Sequence, residues 1–344
     1  MGKLKIENID KKKLNEFLLN YALYIILGLM VVVVIVINPK FLSVVNFTNI
    51  LTQASTKGIL ALGVAGMIVL CGTDLSAGRI LGCCAAVTAS LVQSVTYASR
   101  FYPQITEDLP LIVPLLASIA IAMVLCVING FGVSKLHLHA FIVSLGTQMI
   151  AFGFTCIYID SQKGGAQALS TFNQKFLNLV NGGFKFGGFT LPYLIVYFVV
   201  AAVIMWFVWN KTPLGKNMFA IGGNKEAAAV SGVNITKNIM GIYLVAGVLY
   251  GIAAFLEAGR IQSVNTTTGL NYDLDAISGC VIGGVSFSGG VGTIPGVVVG
   301  VVLLQVINYS LIFLSVNPYL QYIIKGLIII LAVSIDVRKY LAKK

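Results

Sequence analysis

The sequence is poor in charge, histidine, tryptophan and proline. Of its 344 residues only 10% are Asp, Glu, Lys or Arg, and there are 2 His, 2 Trp and 8 Pro. A soluble domain carries about 25% charged residues, so a chain this apolar could not cover itself in water. With 58% hydrophobic residues and a mean hydropathy of +0.92, intrinsic disorder is excluded as well. The two histidines, His137 and His139, flank Leu138, so there is no H-E-x-x-H zinc helix. G-x-S-x-G is absent, which excludes a nucleophile elbow, and so is G-x-x-x-x-G-K-[ST], which excludes a phosphate-cradling loop. Carboxylates are scarce in the apolar stretches, leaving little for proton- or sodium-coupled carriage. Six cysteines lie in or beside apolar runs without a C-x-x-C, the pattern of small core residues and not of a metal or disulfide framework.

What remains is hydrophobic length. A span needs about 20 apolar residues, and ten stretches can be marked, at 17–37, 50–71, 75–97, 111–133, 139–159, 189–209, 239–257, 274–285, 294–314 and 319–336. The expected fold is all-α, a polytopic membrane protein of about ten transmembrane helices. The first stretch is too long for a signal-peptide core and ends in Asn38-Pro39, so it reads as a retained span. The eighth is too short to cross alone. The Gly-rich run Gly283–Gly292 beside it suits a discontinuous segment, because irregular backbone is tolerated at membrane depth when protein surrounds it. Gly247/Gly251 and Gly296/Gly300 have the G-x-x-x-G spacing of close helix crossings.

The net charge is +11. The basic residues cluster at the two ends and in one loop, which points to membrane orientation and not to nucleic acid. With the N-terminus inside and every stretch crossing, fourteen Lys and Arg fall inside, six outside and three within spans. The implied organisation is a cytoplasmic basic tail at 1–16, a transmembrane domain at 17–336 with a cytoplasmic loop at 210–238, and a cytoplasmic tail at 337–344. Asp74-Leu75-Ser76-Ala77 echoes Asp273-Leu274-Asp275-Ala276, the first expected inside and the second outside. Two halves of opposite orientation would make an inverted repeat.

Polar residues at membrane depth are the functional candidates. Asp74 and Arg79 are spaced to pair across a helix face, or else form a helix-start device with a snorkelling arginine. Lys57 reads as a snorkelling side chain near an outer end. Lys325 needs a partner or a water path. Asn129, Gln148 and Asn308, with Thr88, Ser144, Thr147 and Gln305, either line a path for a neutral polyol or join helices to one another. Glu257 and Arg260 have the i,i+3 spacing of a local ion pair at an outer helix end. In the 210–238 loop, Asn224 can cap a short helix with Glu226 in its first turn and Gly232 at its end. Such a helix could dock into a partner's groove or simply connect two spans.

Gly72–Arg79, Gly222–Asn234, Asp273–Ile277 with the Gly-rich run, and Val316–Gly326 together resemble the permease subunits of bacterial sugar ABC importers of the ribose/xylose/galactoside type. Gly-Thr-Asp-Leu-Ser-Ala-Gly-Arg and Glu257-Ala258-Gly259-Arg260 are most similar to the galactoside members. The resemblance implies an inner-membrane homodimer around a central path and an extracytoplasmic sugar-binding protein. It also implies a separate cytoplasmic ATPase that holds ATP and Mg, with no cofactor in this chain. Gly215, Gly222, Gly223, Asn224, Glu226, Ala227 and Ala228 would seat on that ATPase. Arg100, Glu257 and Arg260 would be candidates for docking at the outer face. A stand-alone secondary carrier, or a permease for another monosaccharide or a nucleoside, is the alternative.

Reporter fusions after Lys344 and within 210–238 are expected to report cytoplasm, and fusions within 161–188 the outside. A C-terminal tag accessible from the outer face contradicts this topology.

Overall fold

The computed structural model describes residues 28, 31–187 and 189–341. The first expected span falls mostly outside these residues, as do the tail at 1–16 and residues 342–344; residues 31–37 are helical. The described helices are α1 (Val44–Val69), α2 (Ala77–Leu91), α3 (Ile112–Ser134), α4 (Ala140–Asp160), α5 (Gln174–Asn181), α6 (Tyr193–Lys211), α7 (Pro213–Gly223), α8 (Lys225–Val230), α9 (Ile235–Ile261), α10 (Tyr272–Ile282), α11 (Ile294–Phe313) and α12 (Pro318–Leu341). Each of the other nine apolar stretches falls on one of them. The all-α expectation misses only short strands: β1 (Leu169–Ser170) pairs with β4 (Ser263–Val264), and β2 (Gly183–Phe186) pairs with β3 (Phe189–Pro192) in a tight hairpin.

The chain divides into two units. One comprises Val44–Gln305. Its core is α1, whose residues from Ile59 to Val69 are buried without exception. Yet α1 is not among the five helices of the described residues that are long and apolar enough to cross a membrane, which are α3, α4, α6, α9 and α11. The reason is its surroundings. A helix wrapped by protein can carry Asn49, Gln53, Ser55, Thr56 and Lys57, whereas α6 leaves Val199, Val203, Ile204 and Phe207 exposed and must be apolar all round. The other unit joins the segment up to Ser43 with Val306–Lys344. In it a 3-10 turn at Pro39–Phe41 sets the Phe41 ring edge-on to Phe313 at 5.3 Å.

Two of the helices that fall on the apolar stretches are too short to span. At 1.5 Å per residue, α2 reaches about 22 Å and α10 about 16 Å, against a hydrocarbon core of about 30 Å. Their N-termini meet. A Cβ on Gly78 would collide with Gly269 O and lie 2.9 Å from Asp273 Oδ1. Gly269 itself has φ +80°, open to glycine and costly for other residues. This corrects the expected topology in two respects. The third stretch is not a full span, and Asp74 and Asp273 do not lie at opposite faces; they flank one junction inside the protein.

The G-x-x-x-G pairs are close crossings. A Cβ on Gly247 would lie 2.8 Å from Met123 Cα, so α9 packs directly on the α3 backbone. Gly296 and Gly300 set α11 against Gly279 of α10 and Gly283 just after it. Overpacking of this kind costs about 1–3 kcal/mol. Gly247→Leu is therefore expected to lower the unfolding midpoint in detergent clearly. Gly146→Ala, where nothing lies within 4 Å of the added carbon, serves as the unaffected reference.

Candidate functional site

The polar residues singled out by sequence fall into two clusters and an exposed loop region. In the first cluster Asp74 is fully buried just before α2. Its Oδ1 accepts from the Ser76 amide at 2.8 Å and from the Ser76 hydroxyl, and its Oδ2 accepts from Tyr250 Oη at 2.9 Å. Asn129 Nδ2 donates to Ser76 Oγ at 2.8 Å, and Ser144 Oγ accepts from the Leu75 amide at 3.2 Å. Arg79 takes no part. Its guanidinium donates to Thr266 O at 3.1 Å and lies 4.3 Å from the centre of the Phe152 ring. The Asp74–Arg79 pairing is thus not formed, because α2 begins at Ala77 and helical spacing does not extend back to residue 74. Tyr250 stands fifteen residues along α9 from Ile235, about 22 Å by helical rise, so Asp74, at the head of the short α2, lies deep in the bundle.

The second cluster centres on Glu257, whose side chain has no exposed surface. Arg260 grips it with two bonds, Nε to Oε2 at 2.7 Å and Nη2 to Oε1 at 2.6 Å. Thr56 Oγ1 donates to Oε2 at 2.7 Å and Tyr272 Oη to Oε1 at 2.6 Å. Four donors fill the four lone-pair sites of one carboxylate. They join α1, α9 and α10, which the i,i+3 spacing alone did not reveal. Beside them Lys57 Nζ reaches Asp275 Oδ2 at 2.7 Å and lies 4.8 Å from the centre of the Tyr272 ring. Lys57 is therefore an interhelical pair and not a snorkelling side chain; its partner is distant in sequence, so no local pattern announced it. Glu257 is enclosed, not displayed to a docking partner. Arg100 is half-exposed and bonds back to Val95 O and Pro103 O of its own loop.

Elsewhere the polar side chains keep hydrogen-bonding capacity in hand. Gln148 is half-buried on α4. On α11, Gln305 Nε2 donates to Gln53 Oε1 at 2.8 Å, but Gln305 Oε1, both amide atoms of Asn308 and Ser310 Oγ are buried without a partner among the described residues. Gln305 and Asn308 are spaced i,i+3 and share a helix face.

The protrusion is the 210–238 loop. Thr212 Oγ1 caps α7 by accepting from the Gly215 amide at 3.3 Å, and Pro213 opens that helix. A side chain at Gly215 would collide with the carbonyls of Val208 and Trp209, so α7 folds back tightly on α6. Thr212-Pro213 was the signal for α7 that the sequence reading passed over. Asn224 Oδ1 then accepts from the Ala227 amide at 2.9 Å and caps α8, as expected. Gly232, with φ +85°, ends it, while the Gly232 and Val233 amides bond to Ala229 O and Ala228 O. Ala228 is buried; Gly223, Asn224, Glu226 and Ala227 are exposed, and Val230 is 91% exposed. A groove of about 1140 Å³ runs beside this tip, with Lys135, Asn217, Asn234 and Lys237 in its wall.

Removing one partner of a buried ion pair costs about 3–5 kcal/mol, far more than exchanging both for neutral groups. Glu257→Gln is therefore expected to destabilise the detergent-solubilised protein more than Glu257→Gln/Arg260→Gln does. A double variant worse than the single one contradicts the pairing.

A family described as branched-chain amino acid transport system / permease component matches residues 46–333. The chain is 46% identical over 336 residues to the galactose/methyl galactoside import permease protein of Haemophilus influenzae, covering 98% of this chain and 99% of that one. The protein of the same name from Escherichia coli is 47% identical over the same shares. The ribose import permease protein of Haemophilus influenzae is 31% identical over 96% of this chain and 97% of its own. No solved structure matches the chain.

Proposed function

The chain belongs to the branched-chain amino acid transport system / permease component family, and on that premise we propose that it is the membrane-spanning permease subunit of an ATP-driven importer of galactose and methyl galactoside. The observation that carries the sugar is near-full-length identity of 46–47% to two galactose/methyl galactoside import permeases, against 31% to a ribose permease. The chain is a multi-pass membrane protein. In our reading it has ten membrane segments, two of them the half-length helices α2 and α10, and both termini are cytoplasmic. Helix lengths support an inverted repeat. The order α1, α2, α3, α4 runs 26, 15, 23 and 21 residues, and α9, α10, α11, α12 runs 27, 11, 20 and 24.

Two copies surround the path, a cytoplasmic ATPase binds ATP and Mg, and an extracytoplasmic binding protein delivers the sugar. The α8 tip, capped at both ends and exposed on its outer side, is the seat for the ATPase. Its stiffness lets nucleotide-driven movement pass into the bundle without dissipating in a loop. Within the Val44–Gln305 unit, Gln305 of α11 and Gln148 of α4 are neutral hydrogen-bonding groups available to a passing hydroxyl. The charged residues lie in clusters that hold helices together.

The test is reconstitution with a cognate ATPase and binding protein. Galactose uptake is expected to require ATP. Glu226→Lys or Gly223→Trp, both at exposed positions of the seat, should insert normally yet cut sugar-stimulated ATP hydrolysis by about tenfold or more, the effect of losing about 1.4 kcal/mol of coupling. Wild-type stimulation and uptake in both variants would refute the seat.

A further inference from the structure

The α8 seat protrudes, whereas the charged clusters lie deep in the bundle, and one short rigid element touches both ends of that distance. At its C-terminal side, α10 leads into the loop Gly283–Gly292, which locks backbone to backbone onto the base of the protrusion. The Gly290 amide donates to Val69 O at 2.9 Å. Cys71 Sγ donates to Gly222 O at 3.4 Å and to Ser288 O at 3.3 Å. A Cβ on Gly222 would collide with Val69 O and lie 2.6 Å from the Gly290 amide, and one on Gly290 would lie 2.8 Å from Gly223 Cα. Gly289 and Gly290 have φ +81° and +68°, so the loop takes a shape that side chains resist. Glycines at these positions let three segments, the ends of α1 and α7 and the loop after α10, meet without intervening side chains.

Between its ends α10 has little freedom. Its eleven residues are helical and their side chains are largely buried. Cys280 Sγ donates to Ala61 O of α1 at 3.3 Å, and Gly279 and Gly283 are pressed against α11. At its N-terminal side, Tyr272 holds Glu257 and Asp275 holds Lys57. Asp273 lies beside Gly78, at the start of α2.

We propose that α10 is the rod by which movement of the ATPase seat reaches the Lys57–Asp275 and Glu257–Tyr272 contacts, so that Gly222, Gly290 and Lys57 are positioning residues for transport although none of them need touch sugar or nucleotide. This rests on the permease reading above. Packed elements of this kind shift as units because close-packed interiors do not deform continuously. The lower junction would transmit displacement through backbone contact, and the upper pairs would give α10 discrete seats against α1 and α9.

Residues far apart without shared partners normally contribute additively, while members of one mechanical unit do not. The test is a double-mutant cycle on binding-protein-stimulated ATP hydrolysis by the full complex in proteoliposomes. Gly290→Ala and Lys57→Met are each expected to cut the stimulation by about tenfold, and the double variant by about tenfold also, because either break already disconnects the rod. An effect near a hundredfold in the double variant, the product of independent losses, overturns the proposal. So does wild-type stimulation in either single variant. Gly153→Ala, whose added carbon meets nothing within 4 Å, is the reference and should leave both the wild-type stimulation and the Lys57→Met loss unchanged. If Gly290→Ala does not assemble with the ATPase, Gly222→Ala replaces it in the cycle. A wild-type chain that never stimulates the ATPase strikes at the permease reading itself; stimulation with multiplicative losses strikes only at the rod.

Discussion

The carboxylate of Glu257 is the constraint on which the described bundle turns. A bare carboxylate with no exposed surface would be prohibitively costly. Here Arg260, Thr56 and Tyr272 supply four donors at 2.6–2.7 Å. Because the donors come from α1, α9 and α10, satisfying one charge fixes three helices in register. The Lys57–Asp275 pair at 2.7 Å repeats the logic between α1 and α10. In a membrane protein, where lipid gives apolar side chains little reason to prefer one another to acyl chains, such pairs and the glycine crossings decide which helices meet.

The positions of the helices were legible in the sequence because hydrophobic length is a local property. So was α8, since Asn224, Glu226 and Gly232 are local signals at their proper spacing. What was not legible is depth. Asp74 and Asp273 read as opposite-face residues because each apolar stretch was counted as a full crossing. The half-length of α2 depends on the chain turning back into the bundle after Val69, which glycine contacts between Gly78 and Gly269 permit. The partners of Lys57 and Asp74 were hidden for a related reason. Asp275 lies 218 residues from Lys57 and Tyr250 lies 176 from Asp74. No periodicity reports a contact at that range. The echo of Asp74–Ala77 in Asp273–Ala276 was the one sequence feature that pointed to the junction.

In the proposed importer these arrangements divide the labour. The ionisable groups in the two clusters are engaged by other parts of the same bundle: Asp74 by Ser76 and Tyr250, Glu257 by Arg260, Thr56 and Tyr272, and Lys57 by Asp275. The groups with hydrogen-bonding capacity in hand, Gln305 and Asn308, are neutral amides. A neutral hydrogen bond nets about 0.5–1.5 kcal/mol against water, so a path of the proposed kind, built from a few of them, would pass a sugar without holding it. On the proposed reading, selection then falls to the binding protein and direction to the ATPase.

Calorimetry of galactose with the isolated permease in detergent tests that division most directly. The account predicts no binding tighter than about millimolar, near −4 kcal/mol. Micromolar binding by the permease alone would mean that the membrane path itself selects the sugar, and would contradict a path whose charged groups serve only to hold it together.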